Sequence, residues 1–150
     1  MKERPSWDKF FMNMAVQLTS RSTCHRQQVG AVLVVGRRIL ATGYNGSPPG
    51  DLHCLDIGCL REKMGIPSGQ RHEVCRAIHA EQNLILQLAQ HGVAGVENAK
   101  VYTTLFPCYI CAKLLVGIGV KEIHYIKGYP DELSKELLNR MGVKLYETVL

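Results

Sequence analysis

Two short stretches hold residues that could do chemistry together: Ile78-His79-Ala80-Glu81 and Phe106-Pro107-Cys108-Tyr109-Ile110-Cys111. Cys108 and Cys111 stand three apart, which on a helix puts both thiols on one face, within reach of one metal ion. Pro107 just before them suits the opening of a helix. There the unpaired backbone N–H groups and the helix dipole favour thiolate over thiol. His79 supplies a third, nitrogen ligand. Three protein ligands leave zinc one open position, the arrangement of a catalytic rather than a structural site. Glu81, two residues past the histidine, stands beside such a metal without binding it. A metal lowers the pKa of its bound water to about 7, and a carboxylate can then carry protons from that water to a substrate. Alone, C-x-x-C is equally a redox pair or half of a zinc ribbon, and a lone H-x-E is weaker still. The two together, each opening a helix, select a catalytic metal site.

The elements that must position these residues follow from periodicity and turn chemistry. Ser6 is the expected N-cap of a first helix, with Asp8 in its first turn. Trp7, Phe10, Phe11, Met14 and Leu18 recur at helical spacing as its core-facing stripe. The run Arg21-Ser22-Thr23-Cys24-His25-Arg26 ends it. Residues 29–35 and 39–44 read as strands joined by a hairpin at Gly36-Arg37-Arg38. Residues 46–75, about thirty, lack convincing periodicity, and a loop that long in a compact domain is usually functional or stapled. It carries His53, Cys54, Cys59, His72 and Cys75.

Residues 77–91 are helical in pattern, with Leu84, Ile85, Leu88 and Ala89 on one side and Gly92 as the stop. A strand over 100–105, a helix over 108–118 and a strand over 122–126 make a right-handed crossover between parallel strands. A helix over 131–141, closed by Gly142, and a strand over 143–146 complete the chain. The reading is a single α/β domain over residues 1–150, with a mixed sheet of about five strands. The two ligand-bearing helix ends meet at one end of that sheet, where α/β folds usually place their sites.

The 150 residues make one ordinary domain, and 46% hydrophobic composition suffices for one core. No apolar run is long enough to span a bilayer, and Met1-Lys2-Glu3-Arg4-Pro5 is no signal peptide, so a cytoplasmic location is expected. In a reducing cytosol the six cysteines point to metal rather than disulfides. The net charge of +5 is scattered. It fits a small anionic substrate, and there is no aromatic and basic cluster of the kind single-stranded nucleic acid requires.

With H-x-E…P-C-x-x-C in place, the chain resembles the cytidine deaminase superfamily. Within it the chain is most similar to the deoxycytidylate (dCMP) deaminases, especially the short bacterial form of late-competence operons. The likeness rests on Arg21-Ser22-Thr23-Cys24, Val29-Gly30-Ala31, Gly43-Tyr44-Asn45-Gly46-Ser47-Pro48, His53-Cys54, Ile78-His79-Ala80-Glu81-Gln82-Asn83 and Pro107-Cys108-x-x-Cys111. Gln82 stands where Leu or Met is common. The resemblance implies a three-layer α-β-α sandwich of the cytidine deaminase type. It implies zinc on His79, Cys108 and Cys111, and a zinc-bound hydroxide attacking C4 of cytosine with Glu81 shuttling protons. The product dUMP would feed thymidylate synthesis. Homo-oligomers, often hexamers, are expected, with dCTP and dTTP as effectors in some members.

Asn45 and Ala80 are expected at the substrate, and Arg26 and Tyr129 are the candidates for its phosphate. Phage members of the family carry a second zinc on cysteines that match Cys24 and Cys54. Here the same resemblance, with His72 and Cys75 ahead of the H-x-E stretch, gives Cys24, Cys54, His72 and Cys75 as a structural site, with Cys59 as the replacement for His72. The alternatives are a tRNA adenosine deaminase, a deaminase of another cytosine-type substrate, and a non-enzymatic zinc-stabilised module. Glu81 argues against the last, since a structural zinc needs no carboxylate beside an open position.

Overall fold

The structure is a computed structural model and describes residues 2–128 and 131–150. Five strands form one mixed sheet in the order β2-β1-β3-β4-β5. They are β1 (Gly30–Val35), β2 (Arg38–Tyr44), β3 (Lys100–Leu105), β4 (Glu122–Lys127) and β5 (Lys144–Glu147). Strand β1 is antiparallel to both β2 and β3, while β3, β4 and β5 run parallel. The hairpin between β1 and β2 turns on Gly36 and Arg37, both at positive φ (56° and 65°). That is the two-residue turn whose twist matches the strands.

Successive residues of β1 point to opposite faces. Val32 and Val34 pack with Phe11, Met12 and Ala15 of α1 (Trp7–Leu18), which alone covers one face. Ala31 and Leu33 face a larger cluster built from α4 (Ala80–His91), α5 (Tyr109–Gly117) and α6 (Glu132–Arg140). The molecule is therefore the three-layer α-β-α sandwich expected. Among the described residues no helix is long and apolar enough to cross a membrane.

Ser6 caps α1 as expected, its hydroxyl accepting from the Lys9 N–H, but the buried stripe differs. Phe11, Met12 and Ala15 are buried, whereas Trp7, Phe10 and Met14 are each more than 40% exposed. The cause is close approach: a Cβ on Gly30 would lie 2.0 Å from the Ala15 carbonyl oxygen. Where helix and strand backbones nearly touch, Ala15 and Leu18 meet the seam, Phe11 packs in the same cluster, and Trp7 and Phe10 are turned out.

Residues 46–75 are not featureless. They hold two helices of four residues, α2 (Cys54–Ile57) and α3 (Leu60–Lys63), followed by a 3-10 turn at His72–Val74. Helix α4 begins at Ala80 rather than near residue 77, because Ile78 is held extended. Its N–H and C=O exchange hydrogen bonds of 2.8 and 3.1 Å with Gly46. Ala89, expected inward, is exposed.

Candidate active site

Two helix N-termini meet beyond the end of β3. His79 is the N-cap of α4 and Cys108 the N-cap of α5, with Cys111 in the first turn after it. The helices are aimed by local contacts. A Cβ on Gly43 of β2 would lie 2.1 Å from the Ala80 carbonyl oxygen, so glycine there lets α4 sit directly on the strand. Asn83 Nδ2 donates to the Tyr44 carbonyl at 2.8 Å, and Gln82 Oε1 accepts from the His79 N–H at 2.7 Å. Gln82 thus closes a capping box that fixes His79. Asp131 caps α6 through Ser134 and accepts from the Tyr109 N–H at 3.2 Å, joining α6 to the start of α5.

His79 Nδ1 lies 3.5 Å from Cys108 Sγ and 3.4 Å from Cys111 Sγ. In a tetrahedral zinc site the nitrogen–sulfur edge is about 3.6 Å, given the usual Zn–N and Zn–S lengths. The donor set therefore fits zinc in size and chemistry. Among the described residues these are the only three whose ligand atoms all lie within 4.8 Å of one another. A hydrogen bond from Cys111, and another from His79, hold the Cys108 thiol down at about 4 against burial. Cys111 is pushed up by its bond to Cys108 and by burial, so it keeps the proton of the pair. Burial opposes a charge on His79, but contacts with Cys108 and then Cys75 lift it to about 10. A thiolate beside an imidazolium is a charge pattern that a metal cation can take over.

Glu81 is buried, 4% exposed, and its Oε1 accepts from Thr103 Oγ1 on β3 at 3.0 Å. Burial pushes its carboxyl up from the ordinary glutamate range, toward the range a proton carrier needs near neutrality. His79, Glu81 and Cys108 open onto one cleft of about 480 Å³, walled on its apolar side by Val29, Leu105 and Phe106. That is the size of a small-ligand site.

The other expected residues divide. Asn45 and Ala80 line this cleft. The Asn45 side chain is also engaged within the chain: Oδ1 accepts from Ser22 and Val29, and Nδ2 donates to the Gln27 carbonyl. Arg26 is turned away, donating to Cys59 Sγ and to the Ile66 carbonyl. Tyr129 lies outside the described residues. His72 does not join the remaining cysteines. The short turn that carries it sets its ring edge-on to His79, centroids 4.8 Å apart, inside the cleft. Cys24, Cys59 and Cys75 raise the Cys54 thiol electrostatically, behind the larger effect of burial and against a hydrogen bond from Arg76. Among the described residues, however, no three of these thiols lie within 4.8 Å of one another, and Cys24 and Cys75 line the cleft itself. Arg61 on the cleft, and Thr103 buried behind Glu81, are groups that no motif announces. A threonine in a strand reads as an ordinary β-former.

The family model for the cytidine and deoxycytidylate deaminase zinc-binding region matches residues 5–127. The chain belongs to that family. Curated members include a deoxycytidylate deaminase of Schizosaccharomyces pombe, 38% identical over 97% of this chain and 45% of its own length. ComE operon protein 2 of Bacillus subtilis is 38% identical over 99% of this chain and 74% of its own length. This chain thus spans under half of the first relative and about three quarters of the second. A crystal structure of the dCMP deaminase of cyanophage S-TIM5 in complex with dCMP and dUMP superposes with a TM-score of 0.76. It is 25% identical, with 98% of this chain and all of that chain covered. This deaminase domain accordingly has a zinc-type donor set and a buried glutamate in one cleft.

Proposed function

We propose that the protein hydrolyses dCMP to dUMP and ammonia. The observation that carries this is the buried Glu81 carboxylate opening onto the same cleft as the His79–Cys108–Cys111 donor set. The relatives supply the substrate, since the members of similar length to this domain act on, or are solved with, deoxycytidine monophosphate. Zinc on His79, Cys108 and Cys111 would supply acidity to a bound water. Glu81 accepts a proton from the attacking water and delivers it to N3 of the pyrimidine. It then takes the remaining proton from the new C4 hydroxyl and passes it to the amino group, which leaves C4 as ammonia as the C4 carbonyl forms. The Thr103 hydroxyl holds that carboxylate in one orientation and favours its ionised form. Val29, Leu105 and Phe106 present an apolar wall to the base and exclude bulk water.

Further parts of the same proposal are finer. A second, structural zinc would sit on Cys24, Cys54, Cys59 and Cys75, with Cys59 in place of His72. It would have to draw these thiols closer than they stand, since no three of them lie mutually within 4.8 Å. Cys59 is the N-cap of α3, where the Glu62 N–H and the Arg26 guanidinium lower its thiol against burial. The chain would work in the cytoplasm as a homo-oligomer that covers the exposed Trp7, Phe10 and Met14. Its rate would respond to dCTP and dTTP, and nucleic acid is not expected as a partner. The test is ammonia release by zinc-loaded protein from dCMP, CMP, deoxycytidine and dCTP in parallel, repeated with added dCTP or dTTP. Highest kcat/KM on dCMP is expected. A higher value on any of the other three would move the assignment to that substrate.

A further inference from the structure

A dCMP site must recognise a dianionic phosphate, yet Arg26 faces away from the cleft and Tyr129 lies outside the described residues. The cleft holds a different cation. Arg61 of α3 is 7% exposed and lines the same cavity as Glu81 and His79. Its Nη1 donates to the Gln70 carbonyl at 2.8 Å, while its Nε is buried with no hydrogen-bond partner. Among the described residues no carboxylate lies within 4.0 Å of its guanidinium. The two acidic groups on the cleft are already engaged: Glu81 by Thr103, and Asp131 by Tyr109 and Ser134.

A guanidinium does not lose its proton in a protein, and a buried charge left unpaired is strongly unfavourable. His72 repeats the pattern on the same wall, with its Nδ1 buried and unpartnered. Two buried nitrogen atoms without acceptors, one of them permanently charged, are what a site built for an oxyanion leaves when read from the protein side. Arg61 presents the planar fork that suits phosphate. Ser68 and Gly69 line the same cavity, and Gly69 holds a positive φ of 83° that a side chain would strain.

We propose that Arg61, assisted by His72, binds the 5′-phosphate of the nucleotide and so sets the preference for a monophosphate over a nucleoside. This rests on the dCMP reading. The test compares kcat/KM on dCMP and on deoxycytidine for the parent, Arg61→Met and Arg61→Lys, with thermal melting to confirm folding. The ratio of the two kcat/KM values should fall about 10²-fold in Arg61→Met, chiefly through KM for dCMP, because one member of a buried charge pair is removed. Arg61→Lys should sit between, since an ammonium restores charge without the fork. If Arg61→Met fails to fold through loss of the Gln70 bond, the Arg61→Lys ratio decides, with a fall of about tenfold expected. A ratio unchanged from the parent, or equal losses on both substrates, overturns the assignment and leaves Arg61 as a clamp on its own loop. A parent with no preference for dCMP over deoxycytidine would sink the dCMP reading itself, and this assignment with it.

Discussion

Thr103 donates to Glu81 from the middle of a central strand, and nothing in its own chemistry sets it apart from any strand threonine. Its role predicts a particular kinetic signature. The hydrogen bond favours the ionised carboxylate, whose pKa burial otherwise raises. Thr103→Val should therefore raise that pKa further. Activity that needs ionised Glu81 is lost as pH falls through its pKa, so the acid limb of the pH–rate profile should move to higher pH. The rate at the optimum should drop roughly tenfold, the worth of a hydrogen bond to a charged group. A profile superimposable on the parent's would remove Thr103 from the account.

Cys108→Ala or Cys111→Ala should lose the catalytic metal outright, since two ligands hold zinc too weakly and nothing around them replaces a thiolate. Metal analysis decides it, and unchanged occupancy at this position would contradict the ligand set. The His79–Cys108–Cys111 cluster and Glu81 were legible in the sequence because a metal site demands fixed residue types at fixed spacing. Thr103 and Arg61 were not, because they come to Glu81 and to the cleft through tertiary contact rather than through a local pattern. Tertiary contact also sets His72, expected on a structural zinc, beside His79.

The elements that carry the site depend on close backbone approach at a few positions. Gly43 lets the first turn of α4 rest on β2, and α4 carries both His79 and Glu81. Gly43→Ala would drive a methyl group into the Ala80 carbonyl and the Leu84 N–H. It should cost about 1–3 kcal/mol of stability, as overpacking does, and lower zinc affinity at the same time. A thermal melt and a zinc titration on one preparation test both, and a variant that melts and binds zinc like the parent would show that α4 has room to move. The same kind of approach explains where the reading of helices fell short. On α1 the aromatic residues dominate the hydrophobic period, but Ala15 and Leu18 meet the seam at Gly30, with Phe11 and Met12 packed in the same cluster. Helices of four residues at α2 and α3 are too short to show any period, and Ile78 is taken from α4 by its pairing with Gly46. The strands, the hairpin turn, the crossover and both ligand-bearing helices were legible, because each is long or sharply bounded by glycine or proline.

The site occupies the cleft side of a sandwich whose opposite face carries a separate polar cluster under α1. His124 is stacked between Tyr102 and Tyr146, ring centroids 4.5 and 4.9 Å away, and its Nε2 lies 2.8 Å from Glu122. Burial disfavours the Glu122 charge, but His124 and Lys100 outweigh it and hold the carboxyl below its ordinary value of 4.5. Folding therefore favours the ionised form. That contribution is complete above the unfolded value and is lost as pH falls through the lower, folded one. Glu122→Gln should lower the melting temperature at neutral pH and flatten the decline toward acid, leaving the two proteins alike well below pH 4.5. A constant difference across the acid range would place the effect in packing instead.

Fold, donor set and cleft converge on one group that must move a proton, and Glu81→Gln isolates it. The amide keeps the shape of the side chain but cannot accept a proton and return it. Zinc content and melting temperature should match the parent, while dCMP deamination falls by about 10²–10⁴-fold or more, the contribution of a general acid–base group. A zinc-loaded Glu81→Gln protein that deaminates dCMP within about tenfold of the parent rate would contradict the assignment.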